Sequence, residues 1–288
     1  MTLKATLLKS VIVAALGGLL FGFDTAVIAG TTGDLSRHFR LSPGGLGLTV
    51  SIALWGTVGG ALLAGFPADR YGRRTSLRVL AFLYLISGLG CAFAWDWTSL
   101  MASRFLGGLA IGGSSVIGPM YIAEIAPARW RGRLVGVFQI NIVVGILLAY
   151  FSNYLIGTVG LGETEWRWKL GVAAAPAALF LLLLLAIPRS PRWLVQKGRV
   201  DEARRVLSLI GEDPDAAITG MLAAVRLERE YGQERLFAAR NRFPLFLAIS
   251  IAAFNQLSGI NAILYYLNDI FASAGFDEVS SDLQAVAI

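Results

Sequence analysis

Long apolar stretches without a charged side chain constrain the fold of this 288-residue sequence more than any other feature. Five of them run from Gly44 to Ala68, Val79 to Trp95, Leu134 to Gly162, Leu170 to Ile187 and Phe243 to Leu267. A helix needs about 20 apolar residues to cross a bilayer. Charged residues make up 15% of the chain, whereas they make up about 25% of an ordinary soluble domain. The sequence therefore predicts an all-α membrane protein with several spans.

Two further apolar stretches each hold one ionisable residue and bring the predicted spans to seven. Ser10 to Gly30 contains Asp24, and Leu100 to Ile122 contains Arg104. At about 1.5 Å rise per residue, Asp24 lies roughly 20 Å into the membrane, where an ionised carboxylate is costly. Arg104 can neutralise this carboxylate if the two helices pack together. No signal-peptide cleavage site follows the first stretch, so we expect it to remain in the mature protein.

Basic residues are divided unevenly between the two sides of the predicted membrane. With a cytoplasmic N-terminus, 20 of the 25 lysine and arginine residues fall on the cytoplasmic side. Four fall outside, and Arg104 lies within a span. This asymmetry follows the positive-inside rule and predicts that orientation in the cell membrane. It also accounts for the net charge of +6 without a nucleic-acid partner.

The spans fall into two groups separated by a polar segment. Residues 1–187 are predicted to form a six-span bundle, joined by short polar links such as Asp34 to Ser42. Residues 188–242 are charged and amphipathic, which predicts short cytoplasmic helices. Residues 243–288 carry the seventh span and the beginning of another apolar pattern. We expect them to be the start of a second bundle that the sequence interrupts.

Small residues recur at four-residue spacing within two of the predicted spans. Gly56, Gly60 and Ala64 lie in one span, and Gly108 and Gly112 lie in another. Small residues at this spacing let helices approach closely in lipid, so we expect a packing role for most of them.

The sequence lacks the usual signs of catalysis or metal binding. Its single cysteine, Cys91, permits neither an intrachain disulfide nor a cysteine metal cluster. The lone histidine, His38, falls in an outer polar link without a partner. No phosphate-cradling glycine loop and no nucleophile beside a histidine base are present. We therefore predict no enzyme activity, no cofactor and no metal site.

Four short segments resemble the sugar porter family of the major facilitator superfamily. GFPADRYGRR (65–74) follows span two, AEIAPARWRGR (123–133) follows span four, PRSPRWL (188–194) follows span six, and NQLSGIN (255–261) lies on span seven. The first pattern occurs across the superfamily, whereas the last two are specific to sugar porters. The resemblance covers nearly the whole chain. It implies twelve spans in two rocking bundles around a central site, of which this chain supplies one bundle and about one further span.

The resemblance also implies roles for three groups of residues. Asp24 and Arg104 would couple transport to protons; a fixed structural ion pair is the alternative. The sugar-binding positions would be Phe21, Gln139, Asn255, Gln256, Asn261 and Tyr265, with Asn255 in place of the family's usual glutamine. The inner gating latch would comprise Asp69, Arg70, Arg73, Arg74, Glu124, Arg131 and Arg192. Arg189 stands where the family usually has glutamate.

The amide and phenol groups suit a sugar, whose hydroxyls both donate and accept hydrogen bonds. On a regular helix Gln256 would be turned about 140° from Asn261. Gly259 is expected to permit the bend that brings the two together. Interhelical hydrogen bonding without a ligand is the alternative role for such amides.

These features predict transport of a hexose or pentose, by proton symport with alternating access. Three alternatives remain open at this point. The substrate can be a cyclic polyol, transport can be uniport if Asp24 is only structural, or the chain can be a non-transporting sugar receptor or an inactive fragment of a porter. The predicted partners are the sugar, the proton and the lipid bilayer, and the oligomeric state is left open.

Overall fold

The computed structural model describes residues 4–230 and 238–275, without the side chains of residues 228–230. All regular structure in these residues is helical. The α-helices are α1 (Ala5–Val27), α2 (Thr32–Phe39), α3 (Pro43–Leu63), α4 (Gly65–Tyr71), α5 (Arg73–Ala92), α6 (Trp97–Ile125), α7 (Arg131–Val159), α8 (Glu165–Gly171), α9 (Ala174–Leu183), α10 (Pro191–Gln196), α11 (Val200–Ile210), α12 (Pro214–Glu230), α13 (Arg242–Leu257), α14 (Ile260–Tyr265) and α15 (Leu267–Ser273). Short 3-10 helices occupy Ile28–Thr31, Gly162–Thr164 and Ala239–Asn241.

Seven helical stretches in this described part are long and apolar enough to cross a membrane, which confirms the predicted number and fold class. They are Ala5–Phe39, Pro43–Leu63, Arg73–Ala92, Trp97–Ile125, Arg131–Val159, Gly162–Leu183 and Ala239–Tyr265. The predicted link from Asp34 to Ser42 is partly wrong, because α2 continues the first span as a helix to Phe39. Asp34 lies in the first turn of α2 and pairs with Arg37 at 2.6 Å.

Glycines let α3 and α6 pack backbone against backbone, as the four-residue spacing predicts. A Cβ atom built on Gly60 would lie 2.1 Å from the carbonyl oxygen of Leu109. One built on Gly112 would lie 2.1 Å from the carbonyl oxygen of Thr57. No side chain fits into these gaps, so a glycine at each position is what permits the close approach.

The helices α1 and α7 meet in the same way. A Cβ atom on Gly22 would lie 1.9 Å from the carbonyl oxygen of Ile142, and one on Gly145 would lie 2.1 Å from that of Leu19. The α1 helix is consequently surrounded by its neighbours, and most of its residues are buried. This central position places Asp24 inside the bundle.

A capping box begins α6 on the side of the membrane opposite to the N-terminus. The Ser99 backbone N–H donates to Asp96 Oδ1 at 2.7 Å, and the Asp96 backbone N–H donates to Ser99 Oγ at 3.2 Å. Such reciprocal bonds satisfy two free donors at the helix N-terminus. The backbone and side-chain hydrogen bonds from Ser99 lower the pKa of Asp96 below its usual value near 3.8.

The seventh span is broken into α13 and α14, and α15 follows it. Of these three helices, only α14 and α15 pack on the six-span bundle. The Tyr150 hydroxyl of α7 donates to the Leu264 carbonyl at 2.8 Å. The Thr32 hydroxyl, at the start of α2, donates to Asp269 Oδ1 at 3.1 Å. In contrast, α13 contains no buried residue. The two bonds therefore fix α14 against α7 and α15 against the start of α2.

Candidate functional site

The structure joins the two ionisable residues that lie within predicted spans. Arg104 Nη1 on α6 donates to Asp24 Oδ1 on α1 at 3.2 Å. Both residues are buried, with 8% of Asp24 and 3% of Arg104 exposed. Burial of two charges away from water requires such a partnership, since either charge alone would be strongly unfavourable. The pairing expected from the sequence is confirmed, while its role in proton coupling stays a prediction.

Two tyrosines line the ion pair. Tyr84 of α5 is buried and faces Asp24, and its hydroxyl lies 3.5 Å from the Leu20 carbonyl oxygen. Tyr265 of α14 is buried within electrostatic reach of both charges. Arg104 Nε has no hydrogen-bond partner among the described residues. The guanidinium therefore depends heavily on Asp24, and loss of that negative charge would leave it poorly compensated.

The amides of the seventh span come together at a break in the helix. Gly259 has φ +75°, in the left-handed region that glycine adopts without a steric penalty, and it separates α13 from α14. The Asn261 amide donates to Gln256 Oε1 at 2.7 Å. The Gln256 amide lies 3.4 Å from Asn255 Oδ1. The expected bend is therefore present, and it gathers three of the predicted sugar-binding side chains.

The remaining sugar-binding candidates lie at separate points. Tyr265 follows Asn261 by one helical turn and faces the ion pair. Phe21 is half-buried on α1, one turn before Asp24. Gln139 is exposed on α7. Tyr265 is thus within electrostatic reach of the ion pair, whereas no hydrogen bond among the described residues joins Gln139 to the span-seven amides.

A second polar cluster, here called the inner cluster, is built on Arg73 at the first turn of α5. Arg73 Nη2 lies 2.8 Å from Glu124 Oε1, and Arg73 Nη1 lies 3.0 Å from Asp69 Oδ1. Arg73 also donates to the Ala68 carbonyl at 3.0 Å. The Arg73 and Glu124 side chains are 6% and 8% exposed, whereas that of Asp69 is 71% exposed. The pair of Arg73 with Glu124 is thus the buried centre of the predicted latch.

Two residues of the inner cluster were missed as functional candidates. Ser190 Oγ donates to Glu124 Oε2 at 2.5 Å and caps α10 by accepting from the Trp193 N–H. The Trp193 indole donates to the Asp69 carbonyl at 3.0 Å and covers Gly72. A Cβ atom built on Gly72 would lie 3.1 Å from the indole ring. Ser190 followed by Pro191 is a helix-start signal, but its bond to Glu124 comes from the tertiary fold.

The other predicted latch residues lie around this centre. Arg131 and Arg192 line a cavity of about 460 Å³ together with Glu124. Arg74 donates to the Ile187 carbonyl at 2.7 Å. Arg70 is exposed and lies over the rings of Phe66 and Tyr71. In the residues described, no group of three or more His, Cys, Asp or Glu side chains is placed to hold a metal ion.

Comparison with known proteins identifies relatives along almost the full sequence. The family profile described as "Sugar (and other) transporter" matches residues 10–288. A D-xylose transporter of Levilactobacillus brevis is 38% identical over 277 residues, which are 95% of this chain and 60% of that protein. An arabinose-proton symporter of Bacillus subtilis is 38% identical over 271 residues, 92% of this chain and 58% of that protein. The chain thus spans about three fifths of the length of these curated relatives.

A solved structure gives the same result for the fold. The partially occluded, inward-open form of the xylose transporter XylE from E. coli superposes with a TM-score of 0.85 at 32% identity, over 98% of this chain and 70% of that one. Members of this family are transporters rather than enzymes. The seven apolar spans, the buried polar residues within them and the family match lead to one conclusion: this chain belongs to the sugar porter family of the major facilitator superfamily.

Proposed function

We propose that this chain forms the first bundle, and the beginning of the second, of a proton-coupled porter for a hexose or pentose. Residues 1–187 form the six-span bundle, residues 188–242 a cytoplasmic helical linker and residues 243–288 the start of the second bundle, with the N-terminus in the cytoplasm. The buried pair of Asp24 and Arg104 carries the proposal. Ionisable residues this deep in a membrane protein are most often functional.

Proton coupling follows from what protonation does to the pair. The ionised Asp24 compensates the Arg104 guanidinium at 3.2 Å and links α1 to α6. A proton on Asp24 removes the charge attraction, and the two helices then lose a strong reason to stay together. Because both residues are shielded from water, the exchange of this proton depends on a conformation that opens the site to one side. This dependence is the physical basis of coupling.

Sugar recognition is assigned to the span-seven amides. Asn255, Gln256 and Asn261 present both donors and acceptors beside a helix break, and Tyr265 extends the same face towards the ion pair. A sugar that bonds Asn261 would compete with its existing bond to Gln256 and would shift α14. Since Tyr265 lies on α14 beside Asp24 and Arg104, this shift would reach the proton-binding residues.

The inner cluster is proposed as the gate on the cytoplasmic side. Glu124 on α6 joins Arg73 on α5 and Ser190 at the N-cap of α10, so a single carboxylate connects three helices. Opening the bundle towards the cytoplasm would require these contacts to break. The cluster therefore stabilises the arrangement in which the inner ends of these helices remain closed.

Transport against a gradient tests the proposal. The natural protein is reconstituted into liposomes with an imposed proton gradient, and accumulation of labelled xylose is measured in competition with pentoses, hexoses and cyclic polyols. We expect accumulation above the external concentration in the wild type, and its loss in Asp24→Asn with sugar exchange retained. Asp34→Asn is the matched control, because Asp34 pairs with Arg37 in α2 and away from Arg104.

Other outcomes separate the alternatives. Sugar binding without any accumulation by the wild type would favour a receptor or an inactive fragment. Accumulation that survives Asp24→Asn would assign Asp24 a structural role only. Accumulation of a labelled cyclic polyol, without accumulation of labelled xylose, would change the substrate class and leave the coupling proposal intact.

A further inference from the structure

Three arginines converge on a cavity between the third span, the exit of the sixth span and the linker. The cavity measures about 240 Å³ and is lined by Arg74, Pro188, Arg189, Leu194, Glu202, Arg205 and Val206. A water molecule occupies about 30 Å³ of liquid, so this space admits a group the size of a phosphate. We call it the arginine cavity.

The positive charge in the arginine cavity is not compensated by the protein. Among the described residues, Arg74, Arg189 and Arg205 have no carboxylate within ion-pair distance. The single acid in the lining, Glu202, accepts from Arg199 Nε at 2.6 Å and is therefore already paired. Arg74 is instead exposed to repulsion from its neighbours Arg78 and Arg189.

The arginines also have unused hydrogen-bond donors. Arg74 Nη1 donates to the Ile187 carbonyl at 2.7 Å, whereas Arg74 Nε is buried without a hydrogen-bond partner among the described residues. Arg189 stacks at 5.7 Å from the centre of the Trp193 ring, which leaves its guanidinium edge free. A buried unpaired donor is costly, and a guanidinium edge matches two oxygens of a phosphate group.

From these observations we propose that the arginine cavity is a binding site for a phosphate-class anion, held by Arg74 and Arg189 with Arg205 at the exposed rim. The ligand supplies the negative charge that the three arginines lack. Two sources share this chemistry: the headgroup of an anionic lipid, which basic pockets at the cytoplasmic ends of spans can hold, and a soluble phosphate compound. Arg74 is also a predicted latch residue, but binding of the anion does not require the proposed sugar transport.

Thermal unfolding of the natural protein in detergent tests the site directly, with inorganic phosphate as the probe and chloride at equal ionic strength as the reference. We expect a saturable rise in melting temperature with phosphate. In Arg189→Gln the half-saturating concentration should increase about tenfold or more, because one charge-assisted hydrogen-bond partner is lost. Arg189→Glu should abolish the response and raise the melting temperature without phosphate, because its carboxylate pairs with Arg74.

Arg226→Glu is the control, since it makes the same charge change on an exposed residue of α12. It should keep the full phosphate response. Loss of the response in Arg189→Glu alone then separates site binding from the general stabilisation that phosphate salts give to every variant. If Arg189→Glu does not fold, Arg205→Gln on the surface of α11 replaces it, with a smaller but measurable loss of response.

A second arm distinguishes the two sources. The same proteins are reconstituted into vesicles of phosphatidylglycerol with phosphatidylcholine, or of phosphatidylcholine alone. A response to inorganic phosphate that depends on Arg189 supports a soluble anion. A rise in melting temperature that occurs only in vesicles with phosphatidylglycerol, and is lost in Arg189→Glu, supports a lipid headgroup. Equal responses of the wild type and Arg189→Glu in both arms would overturn the site.

Discussion

Removal of the Glu124 side chain is expected to destabilise the bundle by about 3 kcal/mol. This value follows from the burial of Glu124 and from the partners of Arg73. Breaking a buried ion pair by deleting one partner costs about 3–5 kcal/mol. Arg73 and Glu124 form such a pair at 2.8 Å, with side chains 6% and 8% exposed. Arg73 retains Asp69 at 3.0 Å, which places the Glu124→Ala cost at the lower end of that range.

The matched comparison is Asp69→Asn, which changes the other carboxylate that Arg73 contacts. The Asp69 side chain is 71% exposed, and solvent-exposed ion pairs contribute about 0–1 kcal/mol. Glu124→Gln should fall between the two variants, because it keeps a partner for Ser190 but removes the charge. The predicted order of destabilisation is therefore Glu124→Ala, then Glu124→Gln, then Asp69→Asn.

The assay is thermal unfolding of the purified protein in detergent, followed by tryptophan fluorescence at a fixed scan rate. For chains of this size, 1 kcal/mol corresponds to roughly 2–4 °C in melting temperature. Glu124→Ala should then lower the melting temperature by about 6–12 °C and Asp69→Asn by less than about 4 °C. Equal shifts in the two variants, or a larger shift in Asp69→Asn, would refute burial as the source of the difference.

Three further predictions concern packing, binding and pH. Gly22→Ala should lower the free energy of unfolding by about 1–3 kcal/mol or more, because the new Cβ would lie 1.9 Å from the Ile142 carbonyl oxygen. Gly136→Ala on α7 is the control: its new Cβ would have no atom within 4 Å, so it should be neutral in the same unfolding assay. Asn261→Ala should weaken sugar binding about threefold to tenfold in titration calorimetry, while Asn141→Ala should not, because Asn141 bonds the Val137 carbonyl of its own helix. At pH values above the usual Asp pKa near 3.8, the ionised Asp96 should stabilise the start of α6, and this stabilisation should disappear as the pH falls through the lowered folded-state pKa. Asp96→Asn should remove this pH dependence of the melting temperature. An unchanged pH profile in Asp96→Asn would contradict the capping role.

The spans and the ion pair could be predicted because their signals are local. A charge-free stretch of sufficient length identifies a span, and Arg104 stands out as the one basic residue within a predicted span. The limits of the third span were less well predicted, since α5 begins at Arg73 rather than at Val79. Arg74 and Arg78 remain in that helix because they donate to the carbonyls of Ile187 and Leu184 at the end of the sixth span.

Contacts between distant segments could not be predicted in this way. Ser190 joins Glu124 across 66 positions of the chain, and nothing in the local sequence at either residue indicates that partner. Lys169 is one of the four basic residues that the sequence places on the outer side, with Arg37, Arg40 and Arg167. The structure buries it completely, paired with Glu165 at 2.7 Å and donating to the Gly30 carbonyl at 2.9 Å. The spacing of Glu165 and Lys169 is compatible with a helical pair, but the burial depends on the 3-10 turn between α1 and α2, which supplies the Gly30 carbonyl.

The central claim is that Asp24 carries the proton that moves with the sugar. Sugar-induced proton movement tests it most directly: sugar is added to reconstituted, lightly buffered vesicles without an imposed gradient, and the external pH is recorded. We expect the external medium to become more alkaline with the wild type and with Asp34→Asn. With Asp24→Asn its pH should stay constant although labelled sugar still exchanges. An alkaline shift of wild-type size with Asp24→Asn would contradict the claim.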